Sequence, residues 1–281
     1  MKSIRYIMVW IMLFFVMGNE QVHAEKEVMY SPISFDLQML LWDEAKEVIP
    51  NKKIFTVIDM ETGLSFNVQR RAGSQHADVQ PLTKKDTKIM KKIYNGEWSW
   101  KRRAAILIVG DQMIAGSMHG MPHGAGALEN DFPGHFCIHF PGSTTHKSRN
   151  TDRAHQLMVL KAAGKLDEYA ELATPIQLIQ LLNVAINQQD MGMMNLAVSK
   201  SKHNAKLVKA LKHIDSFILD KSQLEQFENI DAMVLVEMPI KVKMTVKGKE
   251  TKTKTIHFVV RRNGLNSRWV IDSESFYKQV K

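Results

Sequence analysis

Between Gly120 and Gly134 the chain carries four glycines and two prolines: Gly120, Gly124, Gly126, Gly134, Pro122 and Pro133. Proline lacks the N–H that helices and sheets use, and glycine favours turns over either, so this passage is a loop. What it joins limits the fold. Ile114 to Met118 is an apolar strand that delivers His119 at its end, and Phe136 to Phe140 (FCIHF) is a second, short strand. Side chains alternate along a strand, so His135, Cys137 and His139 point to one side. The domain around the loop is therefore built from strands.

The flanking pattern extends this. Phe35 to Val48 has helical spacing and stops before Pro50. Residues 54–68 form a hairpin about Glu61-Thr62-Gly63, Gly73 to Asp78 is a loop, and Thr83 to Ile93 is a short cationic helix with a Thr83/Asp86 cap. Ala104 to Val109 is a strand. Asn150-Thr151-Asp152 starts a helix over 154–163, closed by Gly164, and a second short helix runs to Ala173. Pro175 suits the first position of a new helix, so a boundary falls at 173/174. Helices over 176–186, 191–198 and 204–219 precede strands at 233–238, 241–246, 256–260 and 268–271, the last two joined through Asn263-Gly264. The expected class is α+β: a β-rich domain over 25–173 and a small α+β cone over 174–281. The order of the second part resembles the cone-shaped superfamily that includes ketosteroid isomerases, through the 175–186 helix, the break at Asn187 to Asp190 and the closing Trp269-Val270-Ile271.

The first residues read separately. Lys2 and Arg5 precede an apolar run of 12 residues from Tyr6 to Met17, and Val22-His23-Ala24 offers small residues at −3 and −1 of a cleavage site. Such a run is short for a membrane span and fits a secretory signal over 1–24 that engages the export machinery. The mature protein is then secreted or wall-associated. Losing Lys2, Arg5 and Glu20 takes the formal charge from +9 to +8. An exported chain of pI near 9.4 is drawn to polyanions, in a bacterial wall to teichoic acids and stem carboxylates. Nucleic acid is the generic alternative and is not the expected partner. The lysines 241, 243, 247, 249, 252 and 254 read as a solvated or protected sheet edge.

Only one cysteine occurs in 281 residues, and four of the eleven histidines lie with it between His119 and His139. A disulfide is impossible within the chain, so an exported thiol is suspect as a working thiolate. Acyl transfer by a thiol needs a base for its proton and donors for the oxyanion, which the N–H groups around Phe136 and Cys137 could supply. The order His119-Gly120, with fourteen residues from Gly120 to Pro133, then Gly134-His135-Phe136-Cys137-Ile138-His139, resembles the L,D-transpeptidases that cross-link bacterial peptidoglycan. Their pattern is His-Gly, fourteen to seventeen residues, Ser/Thr-His-Gly-Cys, a variable residue, then Asn or Arg. The resemblance covers residues 53–147. It implies Cys137 as nucleophile, His119 as general base in preference to His123, and His135 as an orienting helper. His139 stands at the substrate or oxyanion position, with Gly120, Phe136, His123, His76 and Asp78 lining the cleft. Here Gly134 replaces Ser/Thr, Phe136 replaces glycine and His139 replaces Asn/Arg. The implied substrate is a peptidoglycan peptide, attacked to give a thioacyl enzyme, with no cofactor.

Two alternatives stay open. His76, Asp78, His119, His135 and His139, with His123 and His146 nearby, could hold zinc for a wall peptidase or amidase, although no helical His-Glu-x-x-His motif is present. A Phe-Cys-Ile-His-Phe strand could also be plain core, in a catalytically inactive wall-binding module. Trp98 and Trp100 could form a substrate platform, Arg102 and Arg103 could meet a carboxylate, and His155 reads as structural.

Overall fold

The alternation along the strands closes into a barrel. The structure, a computed structural model, describes residues 36–145, 149–202, 204–224, 227, 230 and 232–281. The signal segment 1–24 and His146 lie outside the described residues. β1 (Leu37–Gln38) leads into α1 (Trp42–Val48); β2 (Ile54–Asp59), β3 (Ser65–Ala72) and β4 (Ala77–Pro81) follow, then α2 (Lys84–Ile93), β5 (Arg102–Val109), β6 (Gln112–His119) and β7 (Phe136–His139). The strands run in the order β1-β6-β5-β2-β3-β4-β7, and β7 also pairs with β6, so six strands form a closed antiparallel barrel with β1 added parallel to β6. Closure leaves those six strands no free edge.

Two differences from the sequence expectations have simple causes. Residues 35–48 split into the short β1 and the helix α1, because Leu37 and Gln38 pair with Met113 and Ile114 before any helical turn begins. Ala77 and Asp78, expected in a loop, open β4, all five residues of which are buried. Buried polar Asp78 and Gln80 hide the apolar alternation a half-exposed strand would display. The α2 cap is as expected: Thr83 Oγ1 accepts from Asp86 N at 3.2 Å, and the Asp86 carboxylate accepts from Thr83 N at 3.0 Å.

Beyond the barrel come α3 (Arg153–Ala162), α4 (Leu166–Leu172), α5 (Pro175–Gln188), α6 (Met191–Ala197) and α7 (Asn204–Leu211). Then follow β8 (Ile214–Leu219), α8 (Lys221–Leu224), β9 (Leu235–Val246), β10 (Lys252–Arg261), β11 (Val270–Ile271) and α9 (Ser273–Val280). The second sheet has the order β11-β10-β9-β8. Pro175 opens α5 behind a Thr174/Gln177 capping box, as its sequence suggests. The helix expected over 204–219 stops at Leu211. Ile214, Phe217 and Leu219 instead turn inward from β8, whose ladder with β9 slips at Ile214/Ser216. That slip disguises a strand as a helical i, i+3 repeat. β9 runs unbroken through Pro239, and the tight turn of this sheet lies at Lys247 to Thr251, where Gly248 has φ +73°. Asn263-Gly264 sits in the longer connection to β11.

The class is thus mixed α+β, a closed six-stranded barrel and a curled sheet. The described chain from residue 36 belongs to one compact unit with two apolar cores. Phe55, Val57, Phe66, Val68, Leu107, Phe136, Ile138 and Phe140 belong to the barrel core, with α1 and α2 packed on it. The second core gathers Leu157 and Met158 of α3, the α5 apolar stripe and the inner face of β8–β10, and reaches Ala104 and Ala115 on β5 and β6. Helices α3 and α4 share it with residues 174–281. No helix among the described residues is long and apolar enough to cross a membrane.

Candidate active site

Alternation on three barrel strands sorts chemistry from core. On β7, Phe136 and Ile138 enter the barrel core while Cys137 and His139 face the other way; on β4, Ala77 and Val79 go in and Asp78 and Gln80 go out; on β6, Ile114 and Met118 go in and Ser117 and His119 go out. Asp78 is the register partner of Cys137, and Ser117 that of His139. These outward side chains are nonetheless buried. α3 covers them with His155, whose Nδ1 lies 2.8 Å from Ser117 Oγ, and the 120–135 loop covers the rest.

That loop is held by side chains. Gln80 Oε1 accepts from Ala127 N (2.9 Å) and Leu128 N (3.3 Å), and its Nε2 donates to Gly134 O at 2.8 Å. Asn130 donates to Pro81 O and accepts from Phe132 N. His123 and His135 exchange both backbone bonds, each 2.9 Å. Gly134 makes this clamp possible: its φ is +126°, and a Cβ there would come 2.4 Å from His123 O. Serine or threonine cannot take that place without moving the backbone.

Cys137 Sγ lies 3.2 Å from His123 Nε2 and 3.6 Å from Asp78 Oδ1. His123 Nδ1 is 3.1 Å from Met121 O, so that nitrogen carries the proton and Nε2 offers its lone pair to the thiol. His119 is arranged the other way: its Nδ1 accepts from Met121 N at 3.3 Å. The donor atoms of His119, His123 and Cys137 lie within 4.8 Å of one another, as do those of His76, Cys137 and His139, and those of Asp78, His135 and Cys137. Cys137 is common to all three groups. Imidazoles stack behind it, His76 on His139 at 4.5 Å and His139 on His155 at 3.8 Å between centroids.

Electrostatics hold three of the pocket groups in their neutral forms. Burial, reinforced by the Asp78 carboxylate, pushes the Cys137 thiol well above its ordinary range. Burial also holds His119 far below the usual imidazole range, with His123 and Arg102 adding to it, and does the same to His155, aided by His139 and His119. Cys137 therefore rests as a thiol. The thiol itself is 2% exposed, and the partly exposed His123 and His135 form the rim. Trp100, 49% exposed, leans over His119 at 4.7 Å and His123 at 5.4 Å.

The residues singled out from sequence thus meet at one place, in altered positions. His123 is an imidazole within hydrogen-bond distance of the thiol, and His119 packs against the His123 ring at 5.2 Å between centroids. The Gly120 N–H is donated to Ser99 O, and a Cβ at Gly120 would meet the Tyr94 ring at 2.4 Å, so this glycine serves packing rather than an oxyanion. The Phe136 side chain fills core between Phe66 and Phe132 and does not line the pocket beside the thiol. Trp98 likewise packs edge-on against Phe132. Arg102 pairs with Asp152 at 2.7 Å and Arg103 with the fully buried Asp59 at 2.6 Å, so both guanidiniums have structural partners. Gln80 and His155 were not read as site residues. The signal for Gln80 was weak, a lone amide in Ala77–Pro81; for His123 it was a second His-Gly dipeptide nearer to Cys137.

No family model matches the chain, and no curated protein or solved structure matches it either.

Proposed function

We propose that this protein is an exported, cysteine-dependent acyltransferase or peptidase of the L,D-transpeptidase kind, acting on peptidoglycan stem peptides. The observation that carries the reading is the 3.2 Å approach of Cys137 Sγ to His123 Nε2, with the His123 ring oriented through Nδ1 by Met121 O. Nucleophile, base and orienting group are the three parts of an activated thiol. His123 Nε2 takes the S–H proton as Sγ attacks the peptide carbonyl. The tetrahedral adduct collapses, the C–N bond breaks, and the same proton passes to the leaving amine. An incoming amine or water then resolves the thioacyl enzyme, again through His123. Because Asp78 and burial disfavour a standing thiolate, proton transfer accompanies attack rather than preceding it. His135 positions the loop through its bridge to His123, and Trp100 is the exposed wall over which a peptide reaches the site. His119 acts from behind His123.

Export follows from the expected signal over 1–24, and basic charge keeps the chain near anionic wall polymers. In this reading the catalytic domain spans 25–173 and a cone-like domain of unassigned ligand spans 174–281. The experiment is turnover of purified stem peptides, with mass spectrometry for a thioacyl adduct. Cys137→Ala abolishes adduct and turnover, and His123→Ala lowers turnover about 10²–10⁴-fold while the thiol can still be alkylated. If Cys137→Ala retains full turnover and a chelator removes it, the site is a zinc peptidase instead. If no wall fragment is processed by the intact protein, the reading of this fold as an enzyme fails and a binding module remains.

A further inference from the structure

The pocket holds more electron-pair donors than a thiol–imidazole pair needs. His135 Nδ1 lies 3.0 Å from Ala125 O and His76 Nδ1 lies 2.7 Å from Thr144 O, so in each neutral ring Nδ1 carries the proton and Nε2 the lone pair. Both Nε2 atoms face the same carboxylate oxygen, Asp78 Oδ1, at 3.7 Å and 3.2 Å. Lone pair opposite carboxylate is repulsive unless a positive charge stands between them. A divalent cation held between them supplies that charge and bonds both donors.

The spacing fits a small tetrahedral ion. Bonds of about 2.0–2.3 Å to N, O and S place neighbouring donors roughly 3.3–3.8 Å apart. Asp78 Oδ1 is 3.6 Å from Cys137 Sγ and 3.7 Å from His135 Nε2, and the three donors lie within 4.8 Å of one another. One carboxylate and one thiolate balance the charge of a dication, and the backbone carbonyl behind His135 is the outer partner that metal-bound imidazoles usually have. The mixed S, N, O set suits zinc rather than magnesium or calcium.

We propose that Asp78, His135 and Cys137 form a binding site for a zinc-like thiophilic divalent ion, and that the bound ion switches the thiol off. The proposal rests on the thiol reading above, because occupancy consumes the nucleophile. Binding forms a metal–sulfur bond and releases the thiol proton to solvent. The metal-bound sulfur can no longer pass its proton to His123, and the carbonyl of a peptide is denied its attacking atom. A wall enzyme of this design is silent while the ion is abundant and active once it is withdrawn.

The test reads the thiol, not turnover. Full-length protein is freed of metal and alkylated with iodoacetamide over a series of zinc concentrations. Zinc at one hundred times its dissociation constant leaves about 1% of sites open and slows alkylation about 100-fold. Asp78→Asn and His135→Gln, checked for folding by thermal melts, are alkylated at the same rate with or without zinc. Cobalt in place of zinc gives a thiolate-to-metal absorption band in the native chain that is missing from Cys137→Ala. Unchanged alkylation of the native protein, or undiminished protection in both folded variants, overturns the site. Loss of turnover on chelation, rather than gain, overturns the off-switch. A protected thiol in a protein that processes no wall peptide leaves the metal site standing and fails the acyl-transfer reading alone.

Discussion

The barrel and the curled sheet bury different things. In the second core, from α3 to α9, the largest fully buried side chains are Phe217, Phe258 and Phe276, and few polar groups are hidden beside them. The barrel buries Phe66, Phe136 and Phe140 on one face of its strands, and Asp78, Gln80, Ser117, His119 and His139 on the other. Buried polar groups cost stability unless satisfied, so a fold that keeps them on one barrel wall is keeping them for chemistry. Histidines sharpen the contrast. On and against the barrel wall His76, His119, His139 and His155 are buried and His123 and His135 half-buried, whereas His213 and His257 of the second region are exposed.

A large effect on stability and none on chemistry should come from the second region. Phe258 is fully buried, stacks on Phe276 at 5.6 Å between centroids, and Phe276 meets Phe217 edge-on at 6.2 Å. Phe258→Ala is expected to cost about 3–5 kcal/mol, read by denaturant unfolding. At a temperature where the variant is still folded, Cys137 alkylation should match the native rate. A changed rate there would join the two regions functionally and dissolve the contrast.

The reverse case is Gly134. Alanine there meets His123 O in a backbone conformation open to glycine, a strain of about 1–3 kcal/mol. What relieves it is separation of His123 from His135, which takes the base away from the thiol. Gly134→Ala is therefore expected to lose turnover by more than tenfold even where melts show it folded. A variant that loses stability but keeps native turnover would show that the clamp does not position His123.

This glycine also marks how far the sequence could be read. Period-two alternation in Phe136 to Phe140 was sufficient to place Cys137 with His135 and His139, whereas Phe136, expected beside the thiol where the family has glycine, turns into the barrel core. The Gly/Pro passage was legible as a loop for the same local reason. The choice between His119 and His123 was not, because both precede a glycine and spacing favoured the first. What separates them is which ring nitrogen meets the N–H or the carbonyl of Met121, a property of the folded backbone alone. Gln80 was invisible for a related reason: its three partners at Ala127, Leu128 and Gly134 lie more than forty residues away. In the second region, Pro175 and Thr174 announced α5, whereas the slipped ladder of β8 imitated a helix.

The smallest effect separates the regions by acid. His119 and His155 have folded-state values well below the ordinary imidazole range because burial disfavours their charged forms. The unfolded chain, with imidazoles near 6.5, thus takes up protons that the native barrel wall refuses. Their neutral burial costs nothing above pH about 6.5, and stability is lost as pH falls below it toward the depressed values. Each unit of that fall is worth at most about 1.4 kcal/mol per histidine. Melts between pH 7.5 and pH 5 (a range of about 2.5 units) should show a falling midpoint, and His155→Gln, which keeps a polar partner for Ser117, should flatten the slope. His213→Gln, on an exposed turn of the second region, should leave it as it was. Equal slopes in the native protein and His155→Gln would mean that neutral burial of His155 does not set the acid sensitivity of the barrel wall.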